Sequence, residues 1–193
     1  MCNPDILNNP DILKEGASIV KSQNAKIADI LGIHHSSRCT TIKPDGKSSV
    51  LLGMTPGCHG DHAKYYIRRV QVNKDEEAGQ IYRKYNPKAV TDSVWSVHNT
   101  DWCIQFPITA KPNAVMKSEL IGINQLEVVK NLYNNWILEG MVDKTSPITN
   151  KVSNTVQVDD WDEVFDWVWD NSYYVAGIAF LPISGDLDFN QPP

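Results

Sequence analysis

Residues 40–52 pass from a run of β-formers through a tight turn into an apolar segment, the order of a strand, a turn and a helix start. Thr40, Thr41 and Ile42 favour an extended strand. Pro44-Asp45-Gly46 is turn chemistry: proline presets φ and glycine supplies a positive φ where one is needed. Ser48, Ser49, Val50, Leu51 and Leu52 then read as the opening of a short buried helix. A turn between a strand and a helix start presents free backbone N–H groups and the positive end of the helix dipole to an anion. Lys43, Lys47, Ser48 and Ser49 add positive charge and hydroxyl donors, so a phosphate is the natural ligand. Gly46-Lys47-Ser48 matches the end of a P-loop, but that motif requires glycine five positions before its second glycine, where this chain has Thr41. An ordinary strand–helix connection accounts for the pattern equally well.

The remaining composition sets limits. A chain of 193 residues with 41% hydrophobic content suits one domain or a large piece of one. A net charge of −5, with no basic stripe, argues against general nucleic-acid binding. No apolar run approaches a membrane span, and no signal peptide is visible. The four cysteines have no zinc spacing, which suits a reducing cytoplasm. His59, His62 and Cys58 form the tightest group of candidate metal ligands, but they lie in a Gly/Pro loop without ligand spacing, so no metal site is expected.

Along the chain, Asn-Pro-Asp-Ile-Leu occurs at 3–7 and again at 9–13, too short to be a structural repeat. Asn9 and Pro10 start a packing helix carrying Ile12, Leu13, Ile19, Val20, Ile27, Ile30 and Leu31, and Gly32 ends it. Residues 65–72 read as a strand in which Arg68 and Arg69 point to opposite faces. Residues 75–85 read as a short helix, and 94–108 as a hairpin or kinked strand pair around residues 98–101. Residues 103–107 have the form of a strand ended by Pro107. The longest helix is expected at 118–139, with Leu126, Val129, Tyr133, Trp136 and Ile137 at helical spacing. Residues 154–158 form a strand, followed by an acidic helix start and an apolar stripe of Trp161, Val164, Phe165 and Val168. A last strand covers 175–181. Strands alternating with helices predict a mainly parallel α/β layer. Cys39, Cys58 and Cys103 read as small core residues.

Several short motifs, in this order, resemble the adenosylcobalamin-dependent (class II) ribonucleotide reductases, and within them the ribonucleoside-triphosphate reductases. These are Thr40-Thr41-Ile42-Lys43-Pro44-Asp45-Gly46, Leu51-Leu52-Gly53, Thr55-Pro56-Gly57, His59, and Tyr65-Tyr66-Ile67-Arg68-Arg69-Val70. Val152-Ser153-Asn154-Thr155-Val156, Trp161 and Gly177-Ile178-Ala179-Phe180-Leu181-Pro182 extend the similarity over nearly the whole chain. The resemblance implies that residues 1–193 are the C-terminal portion of a ribonucleotide-reductase-type α/β barrel, made of two antiparallel sets of parallel strands. It implies that the substrate phosphates are held by Lys43, Pro44, Asp45, Gly46, Lys47, Ser48 and Ser49. It also implies conversion of ribonucleoside triphosphates to 2′-deoxyribonucleotides by thiyl-radical chemistry, with adenosylcobalamin as cofactor of the complete enzyme.

This chain departs from the pattern at three places. Asp45 and Lys47 stand where the family more often has Ser or Thr, and Gly60 stands where a proline commonly follows the histidine. Asp45 is expected to face solvent, since it would repel a phosphate. Cys2-Asn3-Pro4 does not reproduce the radical loop, whose order is Asn-Pro-Cys-x-Glu. The radical cysteine, the acid/base glutamate and the reducing cysteine pair are therefore expected on an N-terminal reductase polypeptide or segment, this chain being a fragment or split subunit inactive alone, and no catalytic residue is expected here. A thioredoxin-like reductant completes the implied set of partners, with no nucleic acid and no membrane. The alternative is a non-catalytic phosphate- or nucleotide-binding module, a reductase remnant.

Overall fold

The computed structural model describes residues 4–44, 49 and 52–183. Its helices are α1 (Pro4–Leu7), α2 (Pro10–Leu31), α3 (Glu77–Tyr85), α4 (Ile123–Leu132) and α5 (Trp161–Asp170), and its strands are β1 (Tyr65–Asn73), β2 (Val90–Asp92), β3 (Asp101–Thr109), β4 (Asn154–Val158) and β5 (Ile178–Pro182). They fall into two compact units. One comprises Met1–His62 with Lys111–Ile183; the other, among the described residues, runs from Ala63 to Ala110.

In the first unit, β4 and β5 pair in parallel, with Asn154 opposite Ile178 and Val158 opposite Pro182, and α5 provides the crossover. The segment before the predicted phosphate turn joins the same layer through a parallel bridge between Ile42 and Val152 and an antiparallel bridge between Arg38 and Met141. The strand read at 154–158 is present and alternates: Asn154, Val156 and Val158 are buried while Thr155 is exposed. Val156 and Val158 pack with Leu126 and Val164, and an adjoining cluster holds Leu13, Ile42, Cys58, Leu132, Tyr133, Ile137 and Val152. The Asp160 carboxylate caps α5, accepting from the Asp162 and Glu163 N–H groups at 3.0 and 3.1 Å.

The second unit is a three-stranded sheet in the order β1-β3-β2. Both pairings are antiparallel, so the mainly parallel layer expected from the sequence holds only in the first unit. The short link from β2 to β3 permits nothing else, because a parallel pair needs a long crossover. Burial pushes the Cys103 thiol above its ordinary pKa, with Arg69 and Thr91 acting against that shift. Cys58 and Cys103 are both buried, as read from sequence, while Cys39 is only half-buried.

Several elements differ from the sequence reading. Pro107 does not end its strand: β3 continues to Thr109, with Pro107 opposite Ile67. β2 reaches only as far as Ile104 of β3, so beyond it the strand has a free edge, where a residue without N–H is tolerated. The hairpin is built from Val90–Asp92 and β3, with Val94 and Trp95 in the connection. Trp102 is buried beneath the Arg83 guanidinium, 4.6 Å from the ring centroid. The helix expected at 118–139 is interrupted. A 3-10 turn covers Lys117–Glu119, Gly122 takes φ 51°, α4 starts at Ile123, and Tyr133–Ile137 is a π-helical turn. The longest described helix is instead α2, ended by Gly32 in the left-handed region. Of the apolar residues read on α2, Leu13 is buried, but Ile19 and Ile30 are 54% and 71% exposed. On α5 the packed residues are Val164, Trp167 and Val168, while Trp161 and Phe165 are exposed.

Candidate functional site

The segment leading to the turn is clamped on both sides. The Cys39 N–H donates to the Gly140 carbonyl at 2.9 Å, and the Thr40 hydroxyl donates to the Trp136 carbonyl at 2.7 Å. The latter carbonyl belongs to the π-helical turn and also accepts from the Gly140 N–H at 3.2 Å. On the opposite edge the Ile42 N–H donates to the Lys151 carbonyl, and the Ser153 N–H donates to the Ile42 carbonyl. Asn150 Nδ2 donates to the Thr40 carbonyl at 2.9 Å. Thr40 and Ile42 are therefore buried and fixed, and Lys43 and Pro44 emerge at the surface.

Of the predicted phosphate ligands, Asp45, Gly46, Lys47 and Ser48 lie outside the described residues, as do Val50 and Leu51 of the expected helix opening. Lys43 and Pro44 are exposed where the strand ends, and Ser49 is buried, its carbonyl accepting from the Met54 N–H at 2.8 Å. Leu52, expected in a buried helix, is exposed.

The Thr55-Pro56-Gly57 loop backs this segment. A Cβ at Gly57 would sit 3.1 Å from both the Lys43 carbonyl oxygen and the Pro44 nitrogen, and its φ is +59°, so glycine is required by contact and by conformation. His59 ties the loop to β4. Its Nδ1–H donates to the Pro56 carbonyl at 3.1 Å, and Nε2 accepts from the Thr155 N–H at 3.4 Å. Gln125 Nε2 donates to the Cys58 carbonyl at 3.0 Å, which uses the Cys58 main chain structurally. Gly60, where the resemblance leads one to expect proline, allows the Met116 carbonyl to approach; a Cβ there would lie 2.6 Å from the Met116 carbonyl carbon. The Asp61 main chain then pairs with residues 115–117, its N–H donating to Val115 and its carbonyl accepting from Lys117.

A groove of about 420 Å³ opens beside Pro44, lined by Lys151, Ser153, Thr155, Gly177 and Ala179. Strand alternation puts Ser153 and Thr155 on the face opposite Val156. Sequence reasoning singled out neither Lys151 nor the groove, because the three segments forming it meet only in the fold. Asn154, 4% exposed on the helix-covered face, has no partner for its side-chain oxygen or nitrogen.

No protein-family model matches the chain. It is 26% identical over 188 residues to the adenosylcobalamin-dependent ribonucleoside-triphosphate reductase of Euglena gracilis, covering 94% of this chain and 24% of that protein. It is 26% identical over 182 residues to a probable adenosylcobalamin-dependent ribonucleoside-triphosphate reductase of Dictyostelium discoideum, covering 88% and 21%. It is 27% identical over 172 residues to the reductase of the same description from Levilactobacillus brevis, covering 86% and 21%. A crystal structure of a B12-dependent (class II) ribonucleotide reductase superposes with a TM-score of 0.69 at 18% identity, over 91% of this chain and 23% of that one. The resemblance read from the motifs is thus borne out, and the α/β fold is that of the matching part of a class II reductase. The chain spans about a quarter of the length of the curated relatives it matches.

Proposed function

We propose that this chain is the phosphate-holding part of the catalytic barrel of an adenosylcobalamin-dependent ribonucleoside-triphosphate reductase. The observation that carries the reading is the similarity to three such reductases along 86–94% of this chain. In it, residues 43–49 hold the polyphosphate through backbone N–H groups, the Ser48 and Ser49 hydroxyls and the Lys43 and Lys47 charges. The rigid clamp on Thr40 and Ile42, with Gly57 behind Lys43 and Pro44, supports this by fixing where the turn begins. Preorganisation of this kind helps position the ribose for reaction elsewhere in the barrel.

The chemistry of radical generation belongs to the complete enzyme, in which adenosylcobalamin supplies the initiating step. No step is assigned to Cys39, Cys58 or Cys103; Cys58 is packed in the hydrophobic cluster of Ile42 and Tyr133, and burial raises the pKa of the Cys103 thiol. The radical cysteine and reducing pair come from an N-terminal reductase polypeptide, and the electrons from a thioredoxin-like dithiol. Among the described residues no helix is long and apolar enough to cross a membrane, and the reading places the enzyme in the cytoplasm.

The test is nucleotide affinity in the assembled enzyme. Replacing Lys47 and Ser48 together by alanine removes charge-assisted hydrogen bonds, with an expected loss of about 1–3 kcal/mol by calorimetry. Unchanged affinity contradicts the assignment of the turn.

A further inference from the structure

The groove beside Pro44 contains a cation that the motif-based reading of the turn does not use. Lys151 precedes β4, and its backbone is held by two donors: its carbonyl accepts from the Ile42 N–H at 3.3 Å and from the Thr41 hydroxyl at 3.1 Å. Its side chain is held as well. The aliphatic stem lies flat across Gly177, so that a Cβ on Gly177 would overlap Lys151 Cδ and stand 3.1 Å from Cγ. Gly177 has no positive φ that would demand glycine, so the space for this stem is what its missing side chain supplies. No carboxylate pairs with the Lys151 ammonium among the described residues. The same groove presents Ser153 and Thr155 on one wall and Pro44 on the other.

A lysine stem fixed in an open polar groove, its charge unpaired among the described residues, suits an anionic ligand. Pro44 begins the turn assigned to the polyphosphate. We infer that Lys151 is the counter-ion of that polyphosphate, reaching it from the β4–β5 side, and that Gly177 is a positioning residue that sets where the ammonium sits. This rests on the reading of residues 43–49 as the phosphate turn and adds a second source of charge from a distant part of the chain.

Two substitutions separate charge from placement. Lys151→Met keeps an unbranched stem over Gly177 and removes the charge; Gly177→Ala keeps the charge and displaces the stem. Binding of a ribonucleoside triphosphate, of the corresponding ribonucleoside and of inorganic tripolyphosphate is measured by calorimetry on this chain assembled with the N-terminal polypeptide, each variant being checked by thermal melting. Both variants are expected to lose roughly tenfold in triphosphate and tripolyphosphate affinity, the scale of one charge-assisted contact, with nucleoside affinity unchanged. Lys151→Arg is expected to retain most of the affinity. If Lys151→Met binds triphosphate within twofold of the parent while the Lys47 and Ser48 double variant loses affinity, the inference fails and the phosphate turn stands. If the parent assembly binds neither triphosphate nor tripolyphosphate, both readings fall. Should Gly177→Ala not fold, Lys151→Met alone decides.

Discussion

The Thr40 hydroxyl donates to the Trp136 carbonyl at 2.7 Å, joining the segment that leads to the proposed phosphate turn to the π-helical turn at Tyr133–Ile137. The bond does two things at once. It adds a second donor to a carbonyl that already accepts from the Gly140 N–H at 3.2 Å, and it fixes the strand two residues before Ile42 enters the sheet. Thr40→Val keeps the shape and removes this buried side-chain bond while the carbonyl keeps its Gly140 donor, so it should lower stability by about 0.5–1.5 kcal/mol in chemical denaturation. Thr40→Ser should stay near the parent. Equal stability for valine and threonine would show that the hydroxyl is dispensable.

Gly57→Ala should be more damaging than its size suggests. It places a methyl group against the Lys43 carbonyl and forces alanine to φ +59°. The strain alone costs on the order of 1–2 kcal/mol. Because the displaced atoms belong to Lys43 and Pro44, nucleotide affinity in the assembled enzyme should fall as well. A variant with parental melting temperature and parental affinity contradicts the role given to this contact.

Asn154→Val should stabilise the chain. The buried amide lies between Val152 and Val156 on the covered face of the strand and bonds to nothing there. Removing a buried group without partners should gain about 1–3 kcal/mol, and valine suits a strand. A measured loss of stability would mean that the amide is satisfied in solution.

Burial pushes the Tyr133 hydroxyl up to about 12, with its hydrogen bond to Thr149 opposing the shift. The folded chain thus holds this proton to a higher pH than the unfolded chain does. The corresponding stability is fully present below pH 10 and is lost as pH rises from about 10 to about 12. Tyr133→Phe should flatten that alkaline limb in denaturation curves taken across this window. An unchanged limb would assign it to other groups.

How much of this was legible in the sequence depended on how local each signal is. Pro10 and Gly32 mark the two ends of α2 because proline at a first turn and glycine past the last are backbone requirements. Asp160 before Trp161 marked the start of α5 for the same kind of reason. Residues 154–158 read as a strand, and the structure shows β4 there with one face covered. The break before α4 was not legible, since Gly122 sits inside a continuous apolar pattern and its N–H is drawn away to the Gln157 carbonyl. Pro107 was misleading because its tolerance depends on how far β2 reaches along β3. In the proposed site, the turn's own residues could be named from their order, whereas Lys151 and Gly177 come beside Pro44 only through the fold.

The isolated chain should aggregate. Ile19, Ile27 and Ile30 on α2 and Trp169 on α5 are at least half exposed, which is more open apolar surface than soluble monomers carry. Light scattering on the chain alone should show large species that disappear on co-expression with the N-terminal reductase polypeptide, and a monodisperse chain would contradict this.

The most direct measurement is formation of 2′-deoxyribonucleotide from a ribonucleoside triphosphate with adenosylcobalamin and a dithiol. It is run on this chain alone, on the N-terminal polypeptide alone and on the two together. Product should form only in the combined sample and should fall sharply when Lys47 and Ser48 are replaced by alanine. Reduction by this chain alone, or a combined sample indifferent to that replacement, would contradict the assignment of this segment as the phosphate-holding part of the enzyme.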